Sequence, residues 1–131
     1  MSQLIPEKPR TVVWGFLHSR WFVIFSCTWW SLKKALERIK RGGRVLIGSA
    51  CGEPQLLVKT LIDIAPNIAD TEIIHFLDFG LASYTEERYT DKFRHNALFM
   101  GERVRGVMQE GRADYTPIFL SEIPQLIFSG P

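Results

Sequence analysis

The chain has 131 residues, of which 46% are hydrophobic and 23% charged, the proportions of a globular protein with one modest core. Its 16 basic and 14 acidic residues are interspersed and leave a net charge of +2, which argues against a nucleic-acid partner. The only two cysteines, Cys27 and Cys51, lack metal-ligand spacing, so neither a disulfide framework nor a metal site is indicated, and a reducing cytoplasm is expected.

The first thirty residues differ from the rest of the chain. Residues 11–30 contain all four tryptophans and three of the nine phenylalanines. His18, Ser19 and Arg20 interrupt this apolar run, and an arginine at the centre of a membrane span costs about 2.5 to 3.5 kcal/mol. A membrane segment is therefore not expected. We treat residues 1–30 as an atypical apolar N-terminal segment, either docked onto the core or foreign to the domain at residues 31–131.

The next stretch predicts a helix, a strand, a tight loop and a second helix. Ser31 is a suitable N-cap for a helix over residues 32–41, whose basic residues are typical of a solvated face, with phosphate binding as the alternative. Residues 45–47 are apolar and predict a strand. Pro54 then suits the first turn of a helix over residues 55–65.

The loop between this strand and this helix is the candidate site. Gly48 and Gly52 lack a Cβ, so the backbone there can adopt a positive φ and approach a bound group closely. Backbone N–H groups at a helix start favour a carbonyl or anionic oxygen. We interpret the loop as the floor of an acyl or carboxylate site, with an ordinary strand-to-helix connection as the alternative. Cys51 is either a reactive thiol or a small buried side chain.

The remaining segments continue the alternation of strands and helices. Residues 72–79 are nearly continuous in apolar side chains, which is typical of a strand buried on both faces of a parallel sheet. A polar loop over residues 80–95, a helix over residues 96–110 and a strand over residues 115–119 follow, and Ser121 caps a last helix. The expected fold is α/β and three-layered, with a mostly parallel sheet of βα repeats that is incomplete.

Three motifs carry a resemblance to a known family. They are the GEP sequence at residues 52–54, the GRADYTPIFLSEIP sequence at residues 111–124, and a run between them formed by His95, Asn96, Phe99, Gly101 and Arg105. In this order they resemble the N-terminal domain of the acetyl-CoA hydrolase/transferase family, which includes acetate and 4-hydroxybutyrate CoA-transferases. The similarity extends over residues 31–130.

The resemblance implies the substrate-side domain of an enzyme that moves CoA between an acyl-CoA and a small carboxylate such as acetate or 4-hydroxybutyrate. In that family a glutamate attacks the thioester and forms a glutamyl-CoA intermediate. That glutamate lies beyond residue 131, so no catalytic residue is assigned here. Coenzyme A is a substrate, and no bound cofactor or metal is expected. Tyr84 and Tyr89 are secondary candidates for a pocket whose implied substrate-binding residues are Gly48, Ser49, Cys51, Gly52, Glu53, Asn96, Phe99 and Gly101.

The same resemblance predicts that the chain alone is inactive, because the C-terminal domain is missing. A truncated reading frame is expected to explain both this missing domain and the atypical N-terminal segment. The expected partners are acyl-CoA, small carboxylic acids, that C-terminal domain and, in the full enzyme, further copies in a homo-oligomer. Two alternatives stay open: a fragment of an acyl-CoA hydrolase, and a non-catalytic domain that binds acyl-CoA or a partner subunit. A dinucleotide-binding oxidoreductase is disfavoured, because the loop lacks GxGxxG spacing.

Overall fold

The computed structural model describes residues 21–24, 32–77 and 82–129. These residues contain one five-stranded sheet whose spatial order follows the chain. Every neighbouring pair of strands is parallel, which confirms the expected α/β class with a parallel sheet. The strands are β1 (Trp21–Ile24), β2 (Arg44–Ile47), β3 (Thr71–His75), β4 (Phe93–Ala97) and β5 (Ala113–Tyr115).

The described residues also form four α-helices, which are α1 (Leu32–Leu36), α2 (Gln55–Asp63), α3 (Glu102–Gln109) and α4 (Ile123–Ser129). The helix predicted after Pro54 is confirmed as α2, with Pro54 itself at the N-cap position. The helix predicted over residues 32–41 is shorter than expected. After Leu36 the backbone N–H groups of Arg38 and Ile39 bond to carbonyls three residues earlier, so the last turn tightens and the helix ends.

Helices cover both faces of the sheet, as a three-layer fold requires. One face packs against α1 and α2 in a cluster that includes Leu36, Val45, Ile47, Leu57, Leu61 and Ile73. The other face packs against α4 in a smaller cluster that includes Leu46, Ile74, Leu98, Ile123, Leu126 and Ile127. Burying one such side chain contributes about 1.5 to 3 kcal/mol. The larger cluster therefore carries most of the apolar stabilisation among the described residues.

The prediction of a helix starting near Asn96 is wrong. Residues 93–97 form β4, and α3 begins only at Glu102, with Gly101 as its N-cap residue. Phe93, His95 and Ala97 are buried on one face while Arg94 is exposed, the alternation of a half-buried strand. Charged and polar residues at these positions hid that alternation from the apolar pattern.

Two further predicted elements differ in position. The strand expected over residues 115–119 is β5, which ends at Tyr115, before Pro117. Part of the N-terminal segment, Trp21–Ile24, forms the edge strand of the sheet beside β2. Most of that segment, and residues 78 and 79 of the predicted strand 72–79, lie outside the described residues. Within the described part of the chain, no helix has the length and apolarity needed to cross a membrane.

Candidate functional site

The candidate site lies at the edge of the sheet where the strands end, because parallel strands bring the loops after them together there. The loop after β2 holds Gly48, Ser49, Cys51, Gly52 and Glu53. The residues after β4 include Phe99 and Gly101. Seven of the eight predicted binding residues therefore lie in two loops at one edge. We call this edge, formed by residues 48–53, 76–77, 98–101 and 116–119, the carboxyl edge.

Ser49 ties the loop after β2 to the end of β3. Its hydroxyl oxygen accepts the backbone N–H groups of Phe76 and Leu77 at 3.3 and 3.4 Å. The N–H of Ala50 in turn donates to the carbonyl oxygen of Leu77 at 2.8 Å. These three bonds join neighbouring loops, so Ser49 has a positioning role at the carboxyl edge.

The strained residue of this loop is Ala50, at φ +55°, and neither Gly48 nor Gly52 adopts a positive φ. The glycine at position 52 instead leaves space, because a Cβ built there would meet no atom within 4 Å. Several N–H groups of the loop are already engaged. Those of Gly52 and Glu53 donate to the carbonyls of Ser49 and Ala50 in a 3₁₀ turn, so fewer donors face a ligand than the sequence predicts.

Phe99 forms an apolar wall beside this loop. Its ring packs against that of Phe76 with the centroids 5.7 Å apart, yet half of its surface is exposed to solvent. Met100 beside it is 37% exposed. Cys51 is a free, exposed thiol, so the interpretation of Cys51 as a small buried side chain is wrong. Phe99 and Met100 are thus apolar side chains left exposed at the carboxyl edge.

Asn96 does not lie in these loops. It sits inside β4 on the face that α4 covers, where its amide donates to Glu72 at 2.8 Å and accepts the hydroxyl of Thr116 at 2.9 Å. Arg44 donates to the other oxygen of Glu72 at 2.7 Å. These contacts form a hydrogen-bonded network that runs from β2 through β3 and β4 to Thr116, the residue after β5, and Asn96 is the member of this network in β4.

A buried polar cluster that sequence reasoning missed lies under the carboxyl edge. Nδ1 of His75, the last residue of β3, is hydrogen-bonded to the hydroxyl of Tyr84 at 2.8 Å. The ring of Tyr84 meets that of His95 edge-on with the centroids 5.2 Å apart. Both histidines are 2% exposed. The signal was the inward position of His95 in a strand pattern, which becomes visible only once β4 is recognised.

The electrostatics of this cluster keep His95 uncharged near neutral pH. Burial lowers the pKa of His95 from 6.5 to about 4, and the nearby His75 adds to the effect. Neither ring nitrogen of His95 has a hydrogen-bond partner among the described residues. Tyr84, expected as a pocket residue, is itself buried in the core, and Tyr89 is half-buried with its ring against Phe93. These buried side chains therefore support the carboxyl edge from within the core.

The acidic residues of the site differ in environment. Glu53 is 7% exposed at the end of the loop after β2. Glu122 accepts the backbone N–H of Phe119 at 3.1 Å, and Glu102 is exposed at the start of α3. No group of three or more histidine, cysteine or acidic side chains in the described ranges has metal-binding geometry. The described segments of the carboxyl edge therefore contain apolar side chains, no lysine or arginine, and the buried carboxyl group of Glu53.

Comparison with known proteins gives a match over most of the chain. The family described as acetyl-CoA hydrolase/transferase N-terminal domain matches residues 28–130. The chain is 43% identical over 94 residues to the 4-hydroxybutyrate coenzyme A transferase of Clostridium kluyveri, covering 72% of this chain and 22% of that protein. It is 40% identical over 90 residues to a succinyl-CoA:acetate/propanoyl-CoA:succinate CoA transferase of Fasciola hepatica, covering 67% of this chain and 18% of that protein. The chain thus spans about a fifth of the length of these relatives.

Solved structures share the fold. RipA from Yersinia pestis superposes with a TM-score of 0.65 at 19% identity, over 74% of this chain and 25% of that one. A single-residue variant of RipA gives a TM-score of 0.68 at 20% identity, over 76% of this chain and 25% of that one. At such identities the likeness establishes the architecture alone.

Proposed function

Because this chain belongs to the acetyl-CoA hydrolase/transferase family as its N-terminal domain, we propose that it contributes the acyl-binding side of a CoA-transferase. The reaction would pass CoA from an acyl-CoA to a small carboxylate such as acetate or 4-hydroxybutyrate. The nucleophilic carboxylate would come from a part of the protein outside these 131 residues.

The observation that carries the proposal is the contact between three loop residues at the carboxyl edge. Ser49 binds the backbone of Phe76, and Phe76 packs against the half-exposed ring of Phe99. A polar tie and an apolar wall thus meet at Phe76, and Gly52, in the same loop as Ser49, leaves open space. An acyl chain would rest on Phe99 while its thioester carbonyl approaches the loop, and neither contact requires a charged group from this domain.

The domain would accelerate the exchange by holding the acyl group, since a positioned thioester meets its nucleophile at a high effective concentration. Among the described residues, Glu53, Glu102 and Glu122 are carboxylates in family motifs. Glu53 is enclosed and Glu122 is held by the backbone of Phe119. We therefore leave the nucleophilic role to the remainder of the enzyme, and propose that the chain alone is inactive.

A chimeric enzyme tests this function. The homologous 94-residue segment of the Clostridium kluyveri transferase is replaced by the matching residues of this chain. The product is assayed for conversion of 4-hydroxybutyrate and acetyl-CoA into 4-hydroxybutyryl-CoA and acetate, beside the parent enzyme. We expect measurable transfer. A chimera that folds, as judged by cooperative thermal unfolding, yet neither transfers nor hydrolyses would refute the proposal.

The same assay separates the alternatives. Release of free CoA without an acceptor acid would favour an acyl-CoA hydrolase. Exposed apolar side chains in the last described segment, Phe119 at 77% and Phe128 at 64%, favour a second candidate, a non-catalytic domain that binds a partner subunit. An inactive chimera together with tight binding of acyl-CoA to the chain itself would support that candidate.

A further inference from the structure

Connections between successive strands lie on one face of the sheet, and α4 lies on the other. The spatial order of the strands follows the chain, so each step from β1 to β5 moves in one direction across the sheet. The larger apolar cluster places α1, α2 and the turn that carries Tyr84 on a single face. Helix α4, which follows β5, packs through Ile123, Leu126 and Ile127 on the opposite face. The chain therefore changes face after β5.

The face that a helix occupies decides where the next parallel strand is added. A helix that joins two parallel strands of one sheet almost always forms a right-handed crossover, so a helix on the opposite face leads back in the opposite direction. The packing of α4 agrees with this direction, because its cluster extends past β4 and β3 to Leu46 in β2. A parallel strand that follows α4 would thus be added on the β2 side of the sheet, and not beside β5.

The position beside β2 is occupied by β1, which lies outside the matched family domain. Trp21–Ile24 pairs in parallel with Arg44–Ile47, but the family match begins only at residue 28. The strands from β2 to β5 all lie inside the match. The chain covers 22% of the Clostridium kluyveri transferase, so the longer enzyme has further sequence that can supply a strand. Two different segments thus have the same pairing position.

We infer that the edge of β2 is the docking site for the strand that follows α4 in the longer enzymes of the family, and that this strand displaces β1. The partner is an extended apolar segment that pairs in parallel with Arg44–Ile47, because helices cover both faces of this sheet. Until it binds, β1 keeps the backbone of β2 paired and protects it from association with other chains. This assembly step is independent of the acyl group that the domain holds.

Hydrogen exchange measured by mass spectrometry tests the displacement in two proteins. One is the 131-residue chain, and the other is this chain joined to the part of the Clostridium kluyveri transferase that follows its matched segment. In the chain alone, we expect pairing to protect amides of residues 21–24 and 44–47. In the fusion, residues 44–47 should stay protected, while residues 21–24 should exchange about tenfold faster or more.

The other outcomes of this measurement would overturn the proposal. Slower exchange of residues 21–24 in the fusion would show that the new strand is added outside β1. Slower exchange of residues 113–115, with residues 21–24 unchanged, would place the new strand beside β5. Unchanged exchange at all of these residues would show that no strand of the longer enzyme joins this sheet. None of these readouts depends on transfer activity, so the proposed function is tested separately.

A synthetic peptide tests the same site without requiring the fusion to fold. It contains the about 25 residues that follow the matched segment in the transferase, enough for a short connection and a strand. The peptide is titrated into the ¹⁵N-labelled chain and into the double variant Phe22→Pro, Val23→Pro, which weakens β1 by removing two successive backbone N–H groups. We expect shifts in the amide signals of residues 44–47, and about tenfold tighter binding to the proline variant, because β1 no longer competes.

The matched control is the double variant Phe22→Thr, Val23→Thr. It changes the same two side chains but keeps their backbone N–H groups, and it should bind the peptide as the wild type does. Equal affinity of the proline and threonine variants for the peptide would refute the competition with β1. Absence of shifts at residues 44–47 in every protein would refute the docking site itself.

Discussion

Acidification should destabilise this domain through His95. Its imidazole is enclosed between β3, β5 and the turn that carries Tyr84, and the titratable groups that face it are His75 and Tyr84. The pKa of His95 falls from 6.5 to about 4 on folding, chiefly because burial disfavours the charged ring. Each unit of such a difference is worth about 1.4 kcal/mol, so the whole effect is about 3 kcal/mol.

The direction follows from which state takes up the proton. Above pH 6.5 His95 is neutral in both states and the full stability is present. Between pH 6.5 and 4 the unfolded chain binds a proton that the folded protein refuses, so the free energy of unfolding falls by about 3 kcal/mol and then levels off. The pKa values of Asp91 and Asp114 are also lowered, by Lys92 and Arg94, from 3.8 in the unfolded chain. Their protonation therefore begins only at the acid end of this window, and it affects wild type and a His95 variant alike.

Urea unfolding followed by far-ultraviolet circular dichroism from pH 7.5 to 4 measures this loss. The matched control is His95→Phe, which keeps an aromatic ring against Tyr84 and removes the titrating group. We expect the variant to lose about 3 kcal/mol less than the wild type over the same interval. If the two proteins decline in parallel, His95 is not the group responsible and its buried, neutral state is refuted.

Three further substitutions test the site and its support. Ala50→Gly should stabilise the protein by about 0.5 to 1 kcal/mol in urea unfolding, because glycine adopts the observed φ of +55° without strain, and a destabilised variant would contradict the loop conformation. Tyr84→Phe should cost about 1 to 2 kcal/mol by removing the hydroxyl bound to His75; unchanged stability would show that this bond contributes nothing. Asn96→Ala should cost about 1 to 2 kcal/mol by breaking the contact with Glu72, whereas intact stability combined with lost transfer in the chimera would return Asn96 to the substrate pocket.

The fold class was readable from the chain because its strongest local signals agree. The apolar strand at residues 45–47 and the helix after Pro54 are separated by a loop of small residues, which marks the end of one element and the start of the other. The apolar run from residue 72 follows at the distance expected for a second parallel strand joined by a crossover helix. Such signals are local, so they survive without knowledge of contacts. The family motifs predicted the rest of the fold, beyond these local signals.

The placement of β4 was not readable, because the residues that make it a strand are polar and their burial is decided by partners elsewhere. His95 enters the core beside Tyr84 and His75, and Asn96 faces Glu72 on the opposite side. A hydrogen bond or a ring contact across strands leaves no periodic mark in one sequence. The predicted helix there failed for this reason.

The sequence by itself determined an α/β chain with its loops at one edge of a parallel sheet, since apolar spacing and turn residues act over a few positions. Only the tertiary structure decided that Ala50 bears the left-handed backbone and that Ser49, Phe76 and Phe99 adjoin. It also placed Asn96 in an inter-strand network rather than in those loops. These features depend on which strands become neighbours, because side chains distant in the chain meet only after the sheet has formed.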